Sequence, residues 1–282
     1  MVFRLRQDNA RTTHLDRFSW RTGFSLDAHG MLVGLRASER SALPMLRSVV
    51  PPGAHPSDAE SVDALYSLVV ARDDRRMHEL YADAECAVRT SDLDELLVAF
   101  QSHLHFKVAV QARTRLFVHA GVVGWQGGAI LIPGRTHSGK SSLVAALVRA
   151  GATYYSDEYA VLDDDGLVHP FARALGIRDT FGRSRPVEPA ALGASVGDVP
   201  LPLRFVVVTR YAAGAEWLPR QMSPGEMVLA LMENTLAVRS RPADTLRVLG
   251  AAVANAMALE GARGDAASIA EEMLARCPTS SR

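Results

Sequence analysis

Hydrophobic positions along the second half of the chain follow two spacings, which predict strands alternating with helices. Residues 129–132 and 203–209 are short apolar runs, as expected for strands that are buried on both faces of a sheet. Between them, apolar residues recur at helical spacing over residues 142–150, and Gly151 is placed to end that helix. The pattern predicts an α/β fold for this half.

Residues 1–110 show a different pattern, which predicts a separate and smaller α+β domain. We expect a hairpin or bulged strand pair broken at Gly30 over residues 24–35, and further strands at residues 63–70 and 77–88. A helix should follow to about residue 112, with its N-cap offered by Thr90, Ser91 and Asp92. No catalytic constellation occurs in this region. We therefore interpret it as a recognition or packing domain, and residues 111–282 as the catalytic domain.

The C-terminal half departs from a simple alternation of strand and helix. An apolar strand at residues 116–124 precedes the strand at residues 129–132, and another at residues 152–158 ends in two carboxylates. A hairpin follows directly, with strands at residues 159–162 and 167–168 around an Asp-rich turn. A hairpin at this point predicts a mixed sheet. Ser223, Pro224 and Glu226 predict the start of a helix, and two more helices are expected at residues 242–259 and 265–276.

Composition and charge narrow the class of protein. The chain has 282 residues, 48% of them hydrophobic and 22% charged, with zero formal net charge, so it can build a full core. This balance gives no reason to expect a nucleic-acid partner. Cys86 and Cys277 are far apart in sequence, which favours a reduced, cytoplasmic protein. We expect neither a secretory signal nor a membrane span, because no apolar run is long enough.

Residues 134–141 match the phosphate-binding P-loop pattern G-x-x-x-x-G-K-[ST]. Its glycines allow backbone N–H groups to turn inward, and the following helix presents a partial positive charge to a phosphate. Lys140 can reach the terminal phosphates, and the Ser141 hydroxyl can bind Mg²⁺. The alternative is a glycine-rich turn whose lysine points to solvent. The predicted nucleotide-binding residues are Gly134, Arg135, Thr136, His137, Ser138, Gly139, Lys140, Ser141 and Ser142.

Two further positions suggest chemistry next to this loop. Asp157 and Glu158 follow a strand, where carboxylates can hold Mg²⁺ or accept a proton from an attacking hydroxyl. A simple turn is the alternative for this pair. His119 lies in an otherwise apolar strand, where a hydrogen-bonded core histidine and a catalytic histidine are both reasonable interpretations.

These three segments together resemble the catalytic domain of the HPr serine kinase/phosphorylase family. The resemblance rests on the segment His119-Ala-Gly-Val-Val within its strand, the P-loop and the strand that ends at Asp157 and Glu158. It is closer to the stand-alone HPr-kinase-related proteins found near modified-peptide biosynthesis genes. The similarity covers roughly residues 110–275, and it implies a P-loop kinase domain of the HPr-kinase/PEP-carboxykinase type.

The resemblance also implies roles for individual residues. His119 would assist catalysis, Lys140 and Ser141 would bind phosphates and Mg²⁺, and Asp157 would deprotonate a substrate serine. Glu158 stands where the family usually has a second Asp, and with Ser141 and Asp157 it completes the expected metal ligands. Residues 169–178 lack the Glu of the phosphorylase-type members, which leaves a second metal position and the reverse reaction open.

Arginines are expected to stabilise the transferring phosphoryl group. Arg178 ends a segment that resembles a Leu-Gly-x-Arg stretch of the related kinases, and it is our candidate for this role, with a solvated arginine as the alternative. The family also has an arginine in a late loop. Arg239 and Arg241 are both candidates for that position, and no motif decides between them.

We therefore expect an enzyme, an ATP-dependent kinase that uses Mg²⁺ and phosphorylates an alcohol. By resemblance, the favoured acceptor is a serine of a peptide or protein, such as a ribosomally made lasso-type precursor. A small-molecule alcohol kinase and a nucleotide-binding regulator without activity stay open as alternatives. Neither a nucleic acid nor a membrane is expected as a partner, and the sequence allows a homo-oligomer.

Overall fold

The computed structural model describes residues 3–6, 15, 17–72, 76–134, 138–178 and 184–278. The chain divides after Arg113 into two compact units, an N-terminal unit of residues 1–113 and a C-terminal unit of residues 114–282. Helices and mixed sheets make it an α/β protein. Over the described residues, no helix combines the length and the apolar character that crossing a membrane requires.

The N-terminal unit is built on a six-stranded sheet with the order β4-β2-β3-β6-β7-β8. The predicted hairpin is confirmed, because β2 and β3 pair antiparallel around His29 and Gly30, both at positive φ. A separate parallel pair joins β1 to β5. The strands are β1 Arg4–Leu5, β2 Thr22–Ala28, β3 Met31–Ala37, β4 His55–Ser57, β5 Ser61–Val62, β6 Ala64–Val69, β7 His78–Ala82 and β8 Glu85–Thr90.

Helices α1 Leu43–Ser48 and α2 Leu93–Gln111 belong to the N-terminal unit. Of the three residues predicted to offer an N-cap, Asp92 caps α2, since its side chain accepts hydrogen bonds from two backbone N–H groups of the first turn. The helix buries Phe100 and Leu104 completely. The long side chains of one helical face therefore supply part of the core of this unit.

The prediction of one strand at residues 77–88 is wrong. The chain reverses at Asp83, which has φ 55, so that β7 and β8 form a hairpin. The Asp83 carboxylate accepts a hydrogen bond from Leu65 N at 2.8 Å. This contact lies 18 residues away in sequence, so the local pattern of apolar residues could not reveal it.

The C-terminal unit carries an eight-stranded mixed sheet, as the hairpin at residues 159–168 predicted. A two-stranded sheet joins β14 to β15. The strands are β9 Leu116–Trp125, β10 Gly128–Pro133, β11 Thr153–Ser156, β12 Tyr159–Leu162, β13 Leu167–His169, β14 Leu175–Arg178, β15 Ser184–Val187, β16 Leu201–Tyr211, β17 Arg220–Gln221 and β18 Met257–Arg263. The helices are α3 Lys140–Arg149, α4 Pro224–Met232, α5 Pro242–Val253 and α6 Ala266–Arg276. Ser223 and Glu226 form the predicted capping box of α4.

Strand β10 lies in the middle of this sheet. It pairs antiparallel with β9 on one side and parallel with β16 on the other, and β16 pairs parallel with β18. On its far side, β9 pairs antiparallel with β11 and β12. Strands β10, β11, β16 and β18 therefore all point the same way, so their carboxyl ends meet at one edge of the sheet. In open α/β sheets, this edge is where ligands bind.

The predicted helix at residues 242–259 is too long. Helix α5 ends at Val253, and its last predicted residues belong to β18, which pairs with β16 over seven positions from Phe205↔Met257 to Tyr211↔Arg263. Met, Ala, Leu and Glu in this stretch are good helix formers, so local preference pointed to a helix. Pairing with a strand about fifty residues earlier in the chain overrides that preference.

Helix α3 packs directly on β9 because the sheet offers it a glycine. A Cβ built on Gly121 would lie 2.5 Å from Val144 Cγ2 of the helix. Leu143, Val144 and Leu147 are fully buried in this contact layer. The side chain missing at residue 121 thus sets how closely the start of α3 can approach the sheet.

We predict that Gly121→Ala destabilises the protein by about 1–3 kcal/mol, because the added methyl group overpacks the helix–sheet contact. Urea unfolding followed by circular dichroism measures the effect. Gly250→Ala is the matched control, because nothing lies within 4 Å of a Cβ built there in α5. That variant should gain about 0.5–1 kcal/mol. A Gly121→Ala protein as stable as the wild type would contradict the packing argument.

Candidate active site

The glycine-rich turn lies between the end of β10 and the start of α3, as the sequence predicted. Gly139 is the N-cap of α3 and has φ 84, in the left-handed region that favours glycine. Lys140 is the first residue of the helix, followed by Ser141 and by Ser142, whose side chain is exposed. The first N–H groups of α3 lack partners within the helix, so they are available to an anion.

The described part of the turn is tight and contains a polar atom without a partner. A Cβ built on Gly134 would lie 2.7 Å from Ser138 Oγ, and one on Gly139 would lie 2.6 Å from an arginine nitrogen. Ser138 Oγ is buried and has no hydrogen-bond partner among the described residues. A buried hydroxyl without a partner is costly, and a bound oxyanion would supply one. Arg135, Thr136 and His137, which we also predicted to bind nucleotide, lie outside the described residues.

Lys140 is buried although it carries an amino group. Its side chain is only 7% exposed, and Nζ donates a hydrogen bond to Gly134 O at 2.6 Å across the turn. Burial lowers the pKa of Lys140 to about 8, against the opposing effect of Asp157 and Glu158. The lysine thus faces the two carboxylates from the glycine turn, in the position expected for a group that binds terminal phosphates.

Asp157 lies just after β11, where three donors hold its carboxylate in place. Ser141 Oγ donates to Oδ2 at 2.9 Å, Gly176 N donates to Oδ2 at 3.0 Å, and the Tyr154 hydroxyl donates to Oδ1 at 3.3 Å. Burial raises the pKa of the Tyr154 phenol, which keeps it protonated as a donor. The carboxylate is therefore oriented toward the first turn of α3.

Glu158 lies in a different environment from its neighbour. Its carboxylate forms an ion pair with Arg173, which follows β13. Burial raises the pKa of Glu158, whereas Arg173 opposes that effect. The charge of Glu158, a predicted metal ligand, is thus neutralised by the guanidinium group of Arg173. Arg173 was missed as a site residue, because its partner lies 15 residues earlier and no motif marks the pair.

His119 lies in β9 opposite Tyr159 of β12. Its backbone is fixed on both sides, because His119 N donates to Asn234 O at 2.7 Å and His119 O accepts from Gly134 N at 3.3 Å. Burial, with a smaller contribution from Lys140, lowers the pKa of His119 to about 4. The imidazole is therefore neutral at pH 7, so its unprotonated nitrogen can accept a hydrogen bond.

The remaining predicted arginines lie in three different places. Arg178 ends β14, two residues after Gly176, and its side chain lies outside the described part of the chain. Arg239 is exposed. Arg241 donates to Arg115 O at 3.1 Å, near the start of β9. The roles expected for these three arginines therefore stay predictions.

Arg263 is a further residue that the sequence analysis missed. It closes β18, is 2% exposed, and donates from Nη2 to Gly139 O at 3.0 Å. A second hydrogen bond runs from Nη1 to Gly264 O at 3.0 Å. Because residues 257–259 were assigned to a helix, nothing in the sequence placed this arginine at the edge of the sheet. It braces the glycine turn from the side opposite Asp157.

The residues at this edge suit a magnesium ion that is also bound by a substrate. Ser141 Oγ and the Asp157 carboxylate are adjacent oxygen ligands, the type that Mg²⁺ prefers. Within the described ranges, no group of three or more His, Cys, Asp or Glu could hold a metal ion by itself. Mg²⁺ commonly takes one or two protein ligands and completes its shell with phosphate oxygens and water, which fits this arrangement.

We predict that His119 makes the protein less stable at low pH. Its folded pKa of about 4 is below the value of 6.5 for an ordinary histidine, so the unfolded chain binds the proton more readily. Stability should therefore fall as the pH drops from 6.5 to 4, and His119→Gln should remove about 2 kcal/mol of that loss.

Urea unfolding at several pH values measures this difference. His55→Gln is the control for the loss of a histidine, because His55 is exposed on β4. The result that would contradict the prediction is a His119→Gln protein whose stability falls with pH as steeply as that of the wild type.

Comparison with known proteins assigns no family to this site. No protein-family model matches the chain, and a search of curated proteins found no significant match. The function is therefore argued from the residues and their arrangement.

Proposed function

We propose that the protein is an ATP-dependent kinase of the P-loop, HPr-kinase-like type. It would transfer the γ-phosphoryl group to a hydroxyl, with a serine of a ribosomally made precursor peptide as the favoured acceptor. The observation that carries this proposal is the hydrogen bond of 2.9 Å between Ser141 Oγ and Asp157. It brings the phosphate-binding turn and a carboxylate from another strand to one point, as phosphoryl transfer requires.

The phosphates would lie against the start of α3. Partners for their oxygens are the N–H groups of the first turn, the hydroxyl of Ser138 and the ammonium group of Lys140. Mg²⁺, held by Ser141 and Asp157, would neutralise charge on the phosphate oxygens. Most of the rate would come from fixed position and charge, because the protein forms no covalent bond in such a transfer.

Asp157 is the proposed base. The acceptor oxygen bonds to the γ-phosphorus while the bond from that phosphorus to the bridging oxygen breaks, so ADP leaves and the acceptor's proton passes to the carboxylate. The donors on Asp157 fix its direction during this step. His119, which is neutral at pH 7, would accept a hydrogen bond from the incoming hydroxyl.

Glu158 is better suited to positioning than to binding a metal. Its ion pair orients Arg173, whose backbone oxygen also accepts a hydrogen bond from the Tyr154 hydroxyl at 2.9 Å. Residues 173–178 are thereby held next to Asp157. This supports a role for the segment in stabilising the transferring group, with Arg178 as the proposed cation.

A groove in the N-terminal unit supports a peptide as the acceptor. Strands β2 and β4 pair antiparallel, with Leu26 opposite Pro56. Because proline has no N–H, this pair cannot exchange two hydrogen bonds, so residues 25 and 27 carry the hydrogen bonds from β2 to β4. Since the hydrogen-bonding direction alternates along a strand, the N–H and C=O groups of Gly23 point toward the same edge of β2 that pairs with β4. Strand β4 ends at Ser57, before it reaches Gly23. A cavity of about 820 Å³ lies there, lined in part by residues 22–26 and 54–60. An extended peptide can pair with such an edge.

We predict that Asp157→Asn lowers phosphoryl transfer by about 10²- to 10⁴-fold and changes ATP affinity by less than about tenfold. The amide keeps the shape of the side chain but cannot take the proton. Labelled ATP is incubated with a pool of synthetic serine peptides or a pool of small alcohols, and products are identified by intact mass. Transfer to the alcohols alone would favour a small-molecule kinase.

Glu158→Gln is the matched control, since it changes the adjacent carboxylate in the same way. We expect it to retain more activity than Asp157→Asn. If wild-type protein binds ATP but transfers phosphate to neither pool, the regulator alternative gains support. Full transfer by Asp157→Asn would refute the assignment of the base.

We also predict that ATP affinity falls as the pH rises above about 8. The Lys140 pKa of about 8 means that the lysine is charged below this pH and neutral above it in the free protein. Binding phosphate restores the charged form, so one proton is taken up. The dissociation constant should then rise by up to about tenfold per pH unit.

Calorimetry in buffers of different ionisation enthalpy measures this proton uptake directly. Lys140→Arg is the control, because arginine keeps its charge over the whole range. Its ATP affinity, although altered, should not change with pH through this window. Equal pH dependence in the two proteins would show that another group is responsible.

A further inference from the structure

The strands on the other side of β10 end in a cation and an aromatic ring. Tyr211 closes β16 and Arg263 closes β18, and the two residues are paired in register. Strands β16 and β18 lie on one side of β10. Strand β9, which contains His119, and β11, which precedes Asp157, lie on the other side. Two strand spacings, about 10 Å, separate β10 from β18.

The Arg263 guanidinium is buried without a carboxylate close enough for an ion pair among the described residues. Among the described residues, its hydrogen bonds go to the backbone oxygens of Gly139 and Gly264, and its buried Nε has no partner there. Asp265 and the Tyr211 ring also attract this cation, but a buried guanidinium whose hydrogen bonds go only to carbonyl groups is costly. An anion bound at the adjacent glycine turn would offset this cost.

Tyr211 is exposed at the end of β16, whose middle residues Phe205, Val206 and Val207 are buried. The ring is 52% exposed, and the Arg263 guanidinium carbon lies 5.7 Å from its centroid, within cation–π range. The contact holds the Tyr211 ring next to Arg263, which is hydrogen-bonded to the glycine turn. A positioned aromatic ring with an open surface, close to a phosphate site, is suited to stack on a flat heterocycle.

We propose that Tyr211 is the stacking platform for the nucleobase of the bound nucleotide. This inference rests on the proposed nucleotide binding and specifies its other end. The terminal phosphate would lie toward Asp157, and the phosphate chain would cross the first turn of α3. The base would then come to rest on Tyr211, with Arg263 linking ring and glycine turn as a positioning residue. Stacking accepts any base, so adenine and guanine nucleotides should both benefit.

The test compares a ligand that has a base with one that has none. Binding of Mg²⁺–ATP and of Mg²⁺–tripolyphosphate to the full chain is measured by calorimetry for wild type, Tyr211→Leu and Tyr211→Phe. We expect Tyr211→Leu to weaken ATP binding about 5- to 100-fold and tripolyphosphate binding less than about twofold. Tyr211→Phe, which keeps the ring, should bind ATP within about threefold of wild type.

Phe106→Leu in α2 controls for the loss of an exposed aromatic side chain, because its ring is 54% exposed. It should bind both ligands as the wild type does. The inference is overturned if Tyr211→Leu binds ATP normally, or if it loses ATP and tripolyphosphate equally. In both cases the proposed kinase activity still stands. If the wild type binds neither ligand, the nucleotide site itself fails and the inference fails with it.

Discussion

The buried amino group of Lys140 is the feature on which the arrangement of the candidate site depends. A lysine at 7% exposure is costly, and the lowered pKa reflects that cost. Its position is fixed by the helix that it begins and by the hydrogen bond to Gly134 O. Carboxylates on the neighbouring strand reduce the cost, and a phosphate in the glycine turn would reduce it further. The site is thus electrostatically prepared for an anion that carries several charges.

The topology of the sheet explains how distant residues reach this lysine. Strand β9 is long enough to pair with β12 near His119 and with β11 near Val122, while its other edge is occupied by β10. One strand therefore aligns the glycine turn, the histidine and the two carboxylates. Gly121 in the same strand allows α3 to approach closely. A shift in the register of β9 against its neighbouring strands would displace these groups relative to one another, so the site depends on this one strand.

Local sequence was sufficient for the elements that have local causes. The strand, glycine turn and helix around Lys140 follow from apolar spacing and from the backbone demands of glycine, and the structure confirms them. Strand β18 could not be predicted, since its residues favour a helix and only the pairing with β16 makes it extended. Arg173 and Arg263 were missed for a related reason. Their partners are far away in sequence, and for Arg263 the partner is a backbone carbonyl, which no motif records.

Asp157 and Glu158 illustrate how environment separates two adjacent residues of the same charge. Asp157 is surrounded by neutral donors, two of which are a serine hydroxyl and a backbone N–H, and among the described residues it forms no ion pair with a cation. Glu158 is matched by the guanidinium group of Arg173. A base or metal ligand needs a negative charge that is available to the substrate or the metal, whereas a positioning residue can use its charge in an ion pair with a fixed partner. Chemistry is therefore better assigned to Asp157, and Glu158 stabilises the segment that faces it.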